Sequence, residues 1–532
     1  MHTPESSAKN CRKKAQETQK INWFFSLLFL SFLCIFAANL AFAKYSGGTG
    51  TPVDPYQIGD VNDLLLLGEE TGDYDKYFIL TNDINLAGYI FTTAVIAPDG
   101  PYHFTGIFDG DDHKIRNLTI NGDSGLGLFG YIYTDYTDPD GCEVKNLGLE
   151  NVYINSDQFL GGSIGGLVGG NTDAIIRNCY SKGVVAGGIN CHNVGGLVGI
   201  NYGAIINCYS EGVVTSAGAF QYPGSAGIGG LVGVNTSDFE TNGSIIYSWS
   251  SCDVIGGDGA GDLGGLAGGN SGEFGSIISN CFSTGTVRGY NSGGLGGLVG
   301  GCYKSLISKC FSTGPVIGEG ATNGIGGLVG GNGAYSEISN CFSTGDVNTG
   351  SNSQKVGGFV GSNESYGAVA KIINCYSAGD VNAGSGSSYV GGMVGYDYYG
   401  EITSSYFLDI SGPNNNLGTP LTDSEMKQQA SFVVWDFVLE MLNGSGDVWS
   451  IKEDVNYPVL VWPLVNLKWS KYPFVWYEVD LTDFATMGNW WGHTDCADVN
   501  DCNKADFDLS GRMDLYDLDI FCKFWLQGTT FQ

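Results

Sequence analysis

The pentapeptide Gly-Gly-Leu-Val-Gly, or a close variant, begins at Gly165, Gly195, Gly229, Gly264, Gly296, Gly326, Gly357 and Gly391, at intervals of 30, 34, 35, 32, 30, 31 and 34 residues. Eight copies at nearly constant spacing define one structural unit per copy, each burying its apolar face against its neighbours. Helical repeats of this length depend on strong helix formers. These units are built instead from Gly and β-branched residues, the composition of turns and strands. The chain holds 85 Gly in 532 residues without a three-residue period, which excludes collagen. An all-β parallel β-helix, or β-solenoid, is the expected fold.

A second motif, Cys-x-Ser-x-Gly-x-Val, spans 179–185, 208–214, 281–287, 310–316, 341–347 and 375–381. Its four fixed residues alternate, so they share one face of a strand, and their small size suits the inside of a flattened coil. Asn precedes the Cys at Asn178, Asn207, Asn280, Asn340 and Asn374. A corner is expected there, because Asn tolerates left-handed backbone and its amide can hydrogen-bond to the next Asn up the stack. The six Cys should lie about 4.8 Å apart on successive coils. Parallel neighbours in register do not meet disulfide geometry, so a column of buried thiols acting as small apolar groups is expected. Ser248 and Ser405 fill the same position. The next residue is aromatic at Tyr180, Tyr209, Phe282, Phe311, Phe342 and Tyr376. Facing outward, these six form a candidate ligand-binding column for sugar rings or a protein partner; the alternative is packing beneath neighbouring loops.

These repeats resemble the GLUG-motif family of secreted bacterial proteins, over about 161–407. Upstream, 104–120 resembles the opening coils of parallel β-helix proteins. Downstream, 418–437 resembles the segment that closes GLUG arrays. Thr422 and Glu425 there form a capping box for a short helix, and Trp435, Phe437, Trp449 and Trp462 are expected to cover the open last coil.

The first 43 residues read as a signal peptide: basic residues up to Lys20, an apolar run from Ile21 to Phe42, and Ala41-Phe42-Ala43 as a cleavage site. An uncleaved anchor is the alternative. The remaining divisions are 44–160 (N-terminal cap and opening coils), 161–410 (eight repeats), 411–472 (C-terminal cap) and 473–532. In the last segment, Asp506, Asp508, Ser510, Arg512, Asp514 and Asp517 fall at the oxygen-bearing positions of a calcium loop, with Gly511 at its sharp turn. A helix pattern follows, and 479–491 matches 513–525. Such pairs resemble type I dockerin domains, which implies Ca2+ as cofactor and a cohesin-like partner. No ligand series precedes Val479, so only one calcium loop is intact. Cys496, Cys502 and Cys522 offer one bridge with one Cys left over.

Acidic residues outnumber basic ones 55 to 24, a net charge of −31. Nucleic acid and anionic membranes both call for a basic surface and are not expected as partners. Polysaccharide is compatible with this charge. Parallel β-helices host pectin-degrading enzymes, so a polysaccharide lyase or glycoside hydrolase is the rival reading. Such sites need convergent carboxylates or a basic residue beside Ca2+. The acidic residues within the repeats are scattered, and the densest group, Asp109, Asp111, Asp112 and His113, reads as a turn. No catalytic residue is assigned. The expected function is an exported, secreted or cell-surface, non-enzymatic binding or adhesion solenoid attached to a partner through a calcium-loaded tail.

Overall fold

The computed structural model describes residues 44–462, except 99, 135–140, 157–161, 190, 219–226, 238–240 and 439–446, together with 488, 491, 492, 496, 505, 506, 512, 513, 517 and 518. The leader segment and most of the C-terminal sixty residues lie outside this set. The described chain winds into a stack of about ten coils, and the described strands of successive coils pair in parallel.

Each repeat contributes a strand to three faces. Ser163–Gly165 pairs with Asn193–Gly195, Val168–Thr172 with Val198–Asn201, and Tyr180–Gly187 with Tyr209–Ser216. The first face is an eight-stranded sheet, one strand per Gly-Gly pentapeptide. The pentapeptide itself is the corner between the first and second faces. At Gly196 a Cβ would sit inside the contact distance of the Gly230 carbonyl oxygen on the next coil, and at Gly230 of the Gly265 carbonyl. Close approach of backbones, rather than unusual φ, is what selects Gly here.

The two motifs meet across the interior. Ser210 donates to the Gly230 carbonyl at 2.7 Å, and Ser343 and Ser377 donate to Gly358 and Gly392 at 2.8 Å. Ser283 donates to Gly297 in the same way. The Ser of one coil thereby ties the third face to the Gly corner of the next. Cys281, Ser283, Gly285 and Val287 are all buried, as their alternation requires.

The corner before each Cys is left-handed, with φ of 54° at Asn178, 53° at Asn207, 54° at Asn280, 53° at Asn340 and 54° at Asn374. Side-chain bonds climb the column from Asn207 to Asn178 (2.7 Å), Asn178 to Asn146 (3.0 Å) and Asn146 to Asp109 (3.0 Å). The expected ladder is interrupted higher up, because Tyr247 and Lys309 occupy the same corner. Asp111 and Asp112 are left-handed as well, and the Asp109 carboxylate accepts from the Asp111 amide at 2.9 Å, so this acidic group forms a turn.

The N-terminal end is closed by α1 (Val61–Glu69), capped by the Asp60 carboxylate and burying Leu64 and Leu67. At the other end, the expected role of the tryptophans is corrected. The last coil is closed by 411–421: Pro413 accepts from the Gly392 amide, and Asn415 donates to the Val394 carbonyl at 2.8 Å. The tryptophans instead lie along the side of the stack. Trp435 reaches Tyr406, Trp449 reaches Phe342 and Tyr376, and Trp462 reaches Phe282 and Phe311. Thr422 and Glu425 do bond reciprocally, but the helix they start is a single 3-10 turn, Glu425–Lys427.

Candidate functional site

Among the described residues, Cys142, Cys179, Cys191, Cys208, Cys252, Cys281, Cys302, Cys310, Cys341 and Cys375 are buried thiols. The six motif thiols stack as expected, yet they are more than apolar filler. The left-handed corner leaves a backbone N–H and a carbonyl facing inward. Cys310 Sγ accepts from the Cys281 amide at 3.4 Å and donates to the Ser308 carbonyl at 3.1 Å. Ser248 makes the same pair, accepting from the Cys208 amide at 3.1 Å and donating to the Ile246 carbonyl at 2.9 Å. This explains why Ser replaces Cys and no aliphatic residue does. Burial pushes the Cys179, Cys281 and Cys341 thiols well up, so they stay protonated and unreactive.

The aromatic column following these Cys is continuous. Tyr180 and Tyr209 stack at 4.8 Å, Phe282 and Phe311 at 4.9 Å, Phe311 and Phe342 at 4.9 Å, and Phe342 and Tyr376 at 5.1 Å, with Trp249 completing the series. It is not displayed. Tyr209, Phe282, Phe342 and Tyr376 are buried, and Tyr180 and Phe311 are half-buried. The described residues of 422–462 lie across Phe282, Phe311, Phe342 and Tyr376, and the Tyr376 hydroxyl donates to the Pro458 carbonyl at 2.8 Å. The column is therefore a packing surface, the alternative weighed from the sequence.

A buried ladder that the sequence reading missed organises the opposite edge. The Asn two positions after each pentapeptide turns inward, and Asn171 donates to Asn201 (2.7 Å), Asn201 to Asn235 (2.7 Å) and Asn235 to Asn270 (2.8 Å). After Cys302 it resumes from Asn332 to Asn363 (2.8 Å) and from Asn363 to Asp397 (2.7 Å). Several of these amides also close their own turn, as Asn171 does with the Ala174 carbonyl at 3.0 Å and the Ala174 amide at 3.1 Å. The recurring Gly-x-Asn was the available signal.

The turns at this edge carry exposed aromatics on successive coils: Phe274 (54% exposed), Tyr303 (48%), Tyr335 (58%) and Tyr366 (64%). They line a cleft of about 590 Å3 with Glu273, Gly275 and Lys304. The Lys304 ammonium lies 5.5 Å from the Tyr303 ring and 5.7 Å from the Tyr335 ring. Tyr366 faces Tyr398 of the next coil at 5.3 Å, and its hydroxyl donates to Glu364 at 2.8 Å. Their offset from the ladder position varies from coil to coil, which hid the row from a fixed-period search. This edge is the candidate site.

Of the calcium-loop residues, Asp506 and Asp517, the first and last positions, are buried, and Arg512 is exposed. Asp508, Ser510 and Asp514 lie outside the described residues. Cys496 is disulfide-bonded.

A family model described as "The GLUG motif" matches 161–186, 190–215, 259–288, 321–348 and 352–382. Halomucin from Haloquadratum walsbyi (strain DSM 16790 / HBSQ001) is 33% identical over 161 residues, 29% of this chain and only 2% of halomucin. A solved candidate immunoglobulin A1 protease from Bacteroides ovatus aligns at 18% identity over 80% of this chain and 96% of that one, with a TM-score of 0.37, too low to carry an argument. With its coils and motifs in register, the chain is a β-solenoid carrying GLUG-motif repeats.

Proposed function

We propose that this protein is an exported, non-enzymatic binding solenoid. The observation that carries the reading is the row of exposed aromatics on the turns of successive coils, lining one cleft. A closed, hydrogen-bonded interior makes the stack a rigid support, and its turns are the part free to vary. Halomucin contains a stretch similar to 161 residues of this chain within a far longer chain, which supports treating the solenoid as a module. Export is supported by the basic and apolar leader ending in Ala41-Phe42-Ala43. Among the described residues, no helix is long and apolar enough to cross a membrane.

We further propose that the C-terminal acidic loop takes Ca2+ and attaches the protein to a cohesin-like partner. Asp506, Asp508, Ser510, Asp514 and Asp517 would give side-chain oxygens and Arg512 its carbonyl. The test uses the full chain against pectin, xylan and alginate, with and without chelator. Binding without turnover supports the reading, and released sugar or unsaturated product overturns it. Calcium-dependent capture by an immobilised cohesin supports the attachment, and identical capture with chelator refutes it.

A further inference from the structure

We propose that the cleft along Phe274, Tyr303, Tyr335 and Tyr366 binds an extended neutral polysaccharide, its sugar rings stacking along the axis of the solenoid; this rests on the reading of the protein as a binding scaffold. Neighbouring parallel strands are about 4.8 Å apart, comparable with the length of one pyranose in an extended chain. Successive coils therefore advance by about one sugar, and each of these four coils offers one aromatic ring at its turn. The side chains at these four positions are 48% to 64% exposed and so within reach of a ligand.

The chemistry of the edge selects the ligand class. Three of the four rings are Tyr, with an apolar face and a polar tip, matching a sugar's C–H face and its flanking hydroxyls. A cleft of about 590 Å3 fits a few sugar units. Glu273 and Lys304 are one acid and one base, leaving the cleft itself without net charge. The chain as a whole carries −31, which repels a polyanion. Tyr398 and Tyr399, 38% and 78% exposed on the following coil, prolong the row toward the C-terminal end. A polymer longer than the cleft is accommodated in that direction.

The experiment is affinity electrophoresis of the full chain in gels containing xylan, glucomannan, hydroxyethyl cellulose or alginate. The probes are compared for wild type, the triple variant Tyr303→Ser, Tyr335→Ser, Tyr366→Ser, and the control Tyr389→Ser, an exposed Tyr outside the cleft. Wild type and control should be retarded by at least one neutral polymer, and the triple variant should bind about a hundredfold more weakly at unchanged circular dichroism. Retention of wild-type affinity by the triple variant overturns the proposal, as does absence of binding to every neutral polymer. Binding to alginate alone, lost in Lys304→Gln, overturns the neutral assignment. Release of sugar refutes the non-enzymatic reading separately, because the triple variant still reports whether the cleft holds the chain.

Discussion

Replacing Cys302 by Asn should stabilise the protein. Cys302 interrupts the buried amide ladder between Asn270 and Asn332, with which it is paired in register. As a result Asn270 Nδ2 and Asn332 Oδ1 are buried with no hydrogen-bond partner. Every other rung runs from Nδ2 of one coil to Oδ1 of the next, so these are the donor and the acceptor that an Asn at 302 would satisfy. An orphaned buried polar atom costs about 1–3 kcal/mol. Relieving two at the low end, less about 0.5 kcal/mol for ordering the longer side chain, leaves a gain of about 1.5 kcal/mol. The neighbouring coils already hold Asn in this place, so its volume is compatible with the backbone. Amide hydrogen exchange reads the gain locally: protection around Gly269–Ser271 and Gly331–Gly333 should rise about tenfold. The reciprocal change, Asn235→Cys, takes the donor from Asn270 Oδ1 and should lower protection by a similar factor. Unchanged or lower protection in Cys302→Asn, with Asn235→Cys tolerated, would refute the idea that the ladder is energetically coupled.

Three further outcomes follow from the same geometry. Cys310→Ser should change stability in urea by less than about 1 kcal/mol, whereas Cys310→Ala should cost about 1–3 kcal/mol, because only Ser keeps an acceptor for the Cys281 amide. Gly196→Ala should cost more than about 3 kcal/mol or abolish soluble expression, since its Cβ would meet the Gly230 carbonyl; wild-type yield and stability would contradict this. The Asp262 carboxyl fits against Gly294 and Gly301 and is raised by burial to about 7, from an ordinary 3.8. Between pH 4 and 7 the unfolded chain gives up this proton while the folded chain keeps it, so stability falls as pH rises through that window and levels off above it. Denaturation across pH 4–8 should show this slope reduced in Asp262→Asn, and an unaltered slope would count against it.

Both the coil and its interior were legible in the sequence. A fixed period, Gly where backbones must touch, and Cys, Ser, Gly and Val on alternate positions admit one winding, because strand side chains repeat every two residues. The corner Asn was legible for a similar reason, as few residues adopt left-handed backbone. Thiol hydrogen bonding was not, since it depends on which backbone groups the corner turns inward.

The fate of the aromatics was decided by tertiary structure alone. Phe342 and Tyr335 are both rings on the same coil, yet one is 8% exposed and the other 58%. What buries the first is a segment far along the chain, as in the bond between Tyr376 and Pro458, 82 residues apart. A local pattern fixes which side of a strand a ring occupies, whereas the cover over that side is a long-range contact that no period encodes.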